Sequence, residues 1–231
     1  MTKQDRAVRT RRALIRSAAE HFEARGYDRV SLAEISAGAG VSSGALHFHF
    51  DNKAAVADAV EQAAARALRR VALAGRGGDG CALQRLVDVT HRVARLLRAD
   101  VVVRAGLRLN AEAVAGRARD LRREWRACVH DLLNEAERGG ELAAGVPPHR
   151  TGVVVLAATT GIEVLGREDR GWLARPSLTE LWHLLLPCVA APHLAGALDP
   201  AGRDPDQRTP EADPAPGPAP QEPAAAPLAL R

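Results

Sequence analysis

Aromatic residues are scarce in this chain of 231 residues, which holds three Phe, three Trp and one Tyr. Half of the Phe and Tyr supply nevertheless falls in one stretch, VSSGALHFHFDNK at 41–53. Cysteine is equally sparse. Cys81, Cys128 and Cys188 are far apart and form no C-x-x-C pair, which excludes a disulfide framework and a zinc knuckle. They are expected to be reduced core residues in a cytosolic protein. No apolar run reaches the roughly 18 residues of a membrane span. The N-terminus, MTKQDRAVRTRR, lacks the apolar segment of a secretion signal, so the expected location is cytoplasmic. Also missing are a G-x-S-x-G elbow, a P-loop, an H-E-x-x-H helix and a dinucleotide fingerprint. The eight histidines give no triad order. The expectation is therefore no enzyme, no catalytic residue and no cofactor. β-branched runs are few, and Ala, Leu, Val, Arg and Glu dominate, so the chain reads as all-α.

What is present is a large apolar fraction, 46%, enough for a sizeable core. Lys and Arg outnumber Asp and Glu by 32 to 28, with a pI of about 9.5. That excess favours an anionic partner. A glycine-rich break, GRGGDG at 75–80, divides the helical part. Nine prolines fall between positions 200 and 227, so the segment 196–231 is expected to be a disordered Pro/Ala-rich tail. The expected division is a head at 1–52, a connecting helix at 53–76, a larger domain at 77–195, and that tail.

In the head, Leu14, Ala18 and Phe22 recur every fourth residue and make one apolar stripe. Arg9, Arg12 and Arg16 share the opposite face, either as a solvated surface or as part of a binding one. Gly26 is available to end this helix. Ser31 and Glu34 have the capping-box spacing. Gly38 and Gly40 end that helix within a turn, and Ser42 caps another at once. Two short helices separated by a tight turn make a helix-turn-helix, whose second helix enters the DNA major groove.

Three readings compete for the HFH run. A metal site is disfavoured, because His47 and His49 lie two apart, roughly 200° around a helix. An aromatic plug suits Leu46 and Phe50, which are four apart. A nucleic-acid surface suits Ser43, Gly44 and His47. Small residues admit a close duplex, Ser42 and Ser43 can bond phosphates, and Lys53 is placed for the backbone.

At LAEISAGAGVSSGALHFHFDNK the chain resembles the DNA-binding signature of the TetR family of repressors. GALHFHF and VVVRAGLRLNAE resemble more narrowly its γ-butyrolactone-receptor branch. The resemblance spans about 6–190. It implies a homodimer with an N-terminal three-helix DNA-binding domain and a C-terminal helical ligand-binding and dimerisation domain. It implies DNA contact at Ser31, Ser42, Ser43, Gly44, Ala45, His47, Phe48 and Lys53, with Arg9 in a basic arm. The family usually carries tyrosine where His47 stands. Imidazole is shorter and gains a proton near neutrality, so operator affinity is expected to rise as pH falls. Equal affinity at about pH 6 and about pH 8, at matched salt, would refute that expectation.

Beyond the break, helices are predicted at 80–98, 100–114, 117–138, 148–166 and 177–190. Trp125 reads as a core residue by pattern. The resemblance makes it a wall of the ligand pocket. Leu107, Val129, Thr159 and Thr160 are expected as further lining, each buried threonine either bonding its own backbone or offering the ligand one polar anchor. Leu156, Leu181, Trp182 and Leu185 are expected at a four-helix dimer interface, and Pro187 and Pro192 to end the last helix. The function implied is a repressor released from operator DNA by a small apolar molecule, in the control of secondary metabolism. Basic members of the branch resemble pseudo-receptors, which answer antibiotics or biosynthetic intermediates rather than butyrolactones. The alternatives are a drug-sensing repressor of an efflux pump and, less favoured, a non-specific architectural DNA-binding protein.

Overall fold

The structure, a computed structural model, describes residues 2–77, 80–112, 120–194 and 196–203. Among these residues nine α-helices and two short 3-10 turns occur, with no strand beyond one isolated bridge between Leu142 and Ala190. The helices are α1 Lys3–Arg25, α2 Leu32–Gly38, α3 Ser43–His49, α4 Lys53–Arg76, α5 Ala82–Ala99, α6 Val101–Ala111, α7 Arg123–Arg138, α8 Pro148–Leu165 and α9 Arg175–Val189.

The head folds as its sequence dictates. Leu14, Ala18 and Phe22 of α1 are fully buried, and with Ile35, Leu46 and Phe50 they form one apolar cluster. Gly26, at φ +80°, ends α1 by donating its N–H to the Phe22 carbonyl at 2.9 Å. The turn between α2 and α3 needs both its glycines. A Cβ on Gly38 would stand 2.5 Å from the Ser17 hydroxyl, and Gly40 holds φ +67°.

In the body, α4 and α6 cross so closely that a Cβ on Gly106 would lie 2.4 Å from the Ala64 methyl. Small residues at the crossing let the backbones approach. The main body core joins α4, α5, α7, α8 and α9 around Leu86, Leu132 and Trp182. A third cluster gathers Leu68, Leu97, Leu107, Leu121 and Leu173.

Four expectations need correction. The helix predicted at 117–138 begins at Arg123, and its first residues fall partly outside the described ones. The last helix passes through Pro187 and ends at Val189; the proline forgoes one i→i−4 bond, to the His183 carbonyl, two residues before the helix stops. Of the cysteines only Cys128 is buried. Cys188 is exposed, and the Cys81 sulfur caps α5 by accepting the Gln84 N–H at 3.4 Å. Finally, residues 196–203 do not belong with a structureless tail. They run along α5 as a strap. Gln84 exchanges hydrogen bonds with the Asp199 backbone at 2.7 and 3.1 Å, and Asp88 accepts the Arg203 N–H at 2.8 Å. His91 donates through Nε2 to the Pro200 carbonyl at 2.9 Å, and burial pushes its pKa down, which favours the neutral ring. These anchors are polar, so apolar periodicity could not reveal them. Residues 204–231 lie outside the described part.

Candidate nucleic-acid interface and effector cavity

The helix-turn-helix is built by two caps. Ser31 accepts the Glu34 N–H at 3.3 Å, while Glu34 accepts the Ser31 N–H at 2.8 Å and pairs with Arg25 at 2.7 Å. The Ser31 N–H, then Arg25, hold the Glu34 carboxyl down at about 2. Ser42 caps α3 by accepting the Ala45 N–H at 3.2 Å. Leu46 and Phe50 face inward, so the aromatic-plug reading holds for Phe50, which also carries the Arg11 guanidinium 5.1 Å from its ring centre.

The outward face of α3 carries Ser43, Gly44, His47 and Phe48, all exposed. Phe48 is 80% exposed, the largest exposure of any big apolar side chain among the described residues. It stacks edge-on against His49 at 5.2 Å. Ala45 is half-buried, and Ser31 and Arg9 are exposed. Lys53 departs from expectation. Its Nζ donates to the Tyr27 and Asp28 carbonyls at 3.1 and 3.3 Å and sits 4.4 Å from the Tyr27 ring centre. The ammonium therefore fastens the turn after α1 to the start of α4 instead of projecting as a free cation. Among the described residues no three His, Cys, Asp or Glu side chains converge on a possible metal position.

In the body a small cavity of about 40 Å³ is lined by Leu107, Trp125, Thr159 and Thr160 together with Leu68, Val93, Leu97, Leu121, Arg122 and Glu163. Four of the five expected lining residues thus come together. Val129 does not; one turn along α7 from Trp125, it is wholly buried in the main body core. Trp125 Nε1 donates to the Thr159 hydroxyl at 3.1 Å, and that hydroxyl donates to the Val155 carbonyl at 2.8 Å. The indole is therefore anchored at its polar edge while its face borders the cavity. Arg122 and Arg167 both pair with Glu163, the latter at 2.7 Å. Pattern reading missed this ionic rim; the i,i+4 spacing of Glu163 and Arg167 was its only signal. The volume is far below the roughly 300 Å³ of drug-sized pockets.

α6 links the two sites, alongside α4, whose Leu68 lines the cavity and whose Val56 and Val60 pack in the head core. Leu107 of α6 borders the cavity, while Arg104 and Arg108 of the same helix grip the end of α1. Arg104 forms an ion pair with Glu23, Arg170 reaches the same carboxylate at 3.4 Å, and Arg108 donates to the Glu23 carbonyl at 2.7 Å. The VVVRAGLRLNAE motif is thus the joint between head and body.

The expected dimer residues are placed unevenly. Trp182 is fully buried and donates to the Thr90 hydroxyl at 2.8 Å, so it offers nothing to a partner. Leu156 and Leu185 are half-buried against the protomer's own core, and Leu181 is half-buried. The exposed large apolar side chains on these helices are Val153, Val154, Val164 and Leu165 of α8 and Leu184 of α9, the last 74% exposed. α8 is apolar nearly all round, so its sequence could not say which side faces out.

The profile described as "Bacterial regulatory proteins, tetR family" matches residues 14–60, the span from α1 into α4. The A-factor receptor protein of Streptomyces griseus is 32% identical over 206 residues, covering 88% of this chain and 72% of the relative. The transcriptional regulator TtgR of Pseudomonas putida is 26% identical, covering 77% of this chain and 87% of the relative. A crystal structure of a γ-butyrolactone receptor (ArpA-like protein) superposes with a TM-score of 0.70 at 30% identity, covering 84% of this chain and 96% of that one. CprB from Streptomyces coelicolor, solved in complex with its biological operator sequence, superposes with a TM-score of 0.67 at 33% identity, covering 82% of this chain and 92% of that one. The chain belongs to the TetR family of transcriptional regulators, in the branch of the γ-butyrolactone receptors.

Proposed function

We propose that the chain is a homodimeric repressor that leaves its operator when a small, largely apolar molecule opens the Trp125 cavity. The observation that carries this reading is the double role of α6, which touches the cavity through Leu107 and the head through Arg104 and Arg108. A ligand that spreads the cavity walls displaces α6, and α6 carries α1 with it. Two recognition helices must stand about 34–36 Å apart, or a multiple of that, to enter successive major grooves. Tilting the heads breaks that match. A coupling of about 1–3 kcal/mol is usual for such linkage.

On DNA, Ser42 and Ser43 with the free N–H groups at the start of α3 serve phosphates. His47 reaches a phosphate or a base edge. Phe48 suits apolar contact with a thymine methyl. Arg9 supplies backbone charge. The partner subunit joins through the apolar faces around Val153, Val154 and Leu184. The charge balance favours the pseudo-receptor role, with an antibiotic or biosynthetic intermediate as effector and secondary metabolism as the regulated process.

The test is footprinting on the promoters beside the gene, with and without culture metabolites, using the wild type and Trp125→Ala. Protection of a specific site, lost on adding metabolites for the wild type but retained by Trp125→Ala, is the expected result. Equal protection of random and promoter DNA would overturn the reading in favour of an architectural protein.

A further inference from the structure

Between α1 and α4 runs an open groove of about 850 Å³ that the proposed repressor cycle does not use. Arg11, Arg12 and Arg16 form one wall and Arg66, Arg69 and Arg70 the other. The only carboxylate in the lining, Asp100, is committed to capping α6 by accepting the Val102 N–H at 2.9 Å. Arg16 pairs with Glu20 at 3.1 Å and Arg11 lies over Phe50. Arg12, Arg66, Arg69 and Arg70 have no ion pair among the described residues. Like charges gathered without counter-charge repel, and an anion bound among them would relieve that repulsion.

The floor of the groove is apolar. Ile15 and Ala67 are buried there, and Val8 and Leu73 flank it at 46% and 49% exposure. A phosphate backbone would use the arginines but not that floor. Arg66 also lies about 20 Å along α4 from Lys53, at 1.5 Å per residue, which carries the α4 wall away from the base-reading end. No residue is shared with the Trp125 cavity, which meets α4 at Leu68, about 100° round the helix from Ala67.

We infer that this groove is a second ligand site, for an anionic amphipath: an apolar ring system or chain bearing a carboxylate, sulfonate or phosphate. Arg66, Arg70 and Arg12 hold the anionic group, since guanidinium matches such oxyanions in bidentate fashion. Ile15 and Ala67 support the apolar body. One wall belongs to the head and the other to the connecting helix, so the bound molecule ties the two together.

The probe is 1-anilinonaphthalene-8-sulfonate, with N-phenyl-1-naphthylamine as its uncharged counterpart, titrated by fluorescence into the full chain. Saturable binding of the sulfonate is expected, at least tenfold tighter than that of the neutral amine. The exposed pair Arg66→Glu and Arg70→Glu should weaken it at least tenfold with an unchanged helical circular-dichroism spectrum, while Trp125→Ala leaves it as it was. Should Trp125→Ala abolish binding and the charge reversal spare it, the anion occupies the core cavity and the inference is wrong. It is equally wrong if neither variant matters. If the charge reversal lowers affinity for random duplex DNA and leaves the probe untouched, the groove is a nucleic-acid surface instead. These outcomes are independent of operator release, which tests the repressor reading separately.

Discussion

Glu34 shows how a single exposed side chain positions the reading head. Its carboxylate joins the cap of α2 to Arg25 at the end of α1, and both partners favour the ionised form. The folded pKa lies near 2, below the ordinary 4.5, so the group contributes stability that is fully present above about 4.5 and lost as pH falls toward about 2. Glu34→Gln should therefore lower the Tm at neutral pH, and the gap from wild type should close in acid. A gap that stayed constant down to about pH 2 would show that ionisation is not what matters. Ser31→Ala removes the reciprocal bond and should cost about 1 kcal/mol by denaturant titration. Both partners of this box were legible in the sequence, since S-x-x-E spacing is a local rule. Lys53 was not. Its contact with Tyr27 spans 26 positions, and a lysine drawn back onto carbonyls and a ring looks, in one dimension, the same as a lysine facing solvent.

At the scale of elements, the crossing of α4 and α6 leaves no room for a side chain at Gly106. Gly106→Ala places a methyl 2.4 Å from Ala64, so the helices must part. Overpacking of that kind costs about 1–3 kcal/mol, to be read as a shift in the urea midpoint at constant slope. Because α6 also holds Glu23, the same variant should bind operator more weakly without any change at the DNA face. Wild-type operator affinity in this variant would disconnect α6 from the head. The helices themselves were readable from period and punctuation: α5 and α8 were placed to within two residues at either end. Orientation was not readable where periodicity fails. α8 is apolar nearly all round, so its own sequence does not decide which residues face inward against α7. The same holds for α9, where Trp182 turned inward and Leu184 outward.

For the molecule as a whole, the exposed apolar faces of α8 and α9 predict association. Leu184→Glu together with Val153→Glu should convert a concentration-independent dimer into a monomer by light scattering, with operator affinity falling steeply because one head alone reads one half-site. A variant that stayed dimeric would place the interface elsewhere. Linkage supplies a check that needs no mutant: saturating operator must weaken effector binding by the same factor as effector weakens operator binding. The strap at 196–203 carries a practical lesson of another kind. Truncating the gene after residue 195, where proline-rich composition invites trimming, would strip Gln84, Asp88 and His91 of their backbone partners. Expression vectors should accordingly keep Arg203, and purification tags fused at that end belong beyond it.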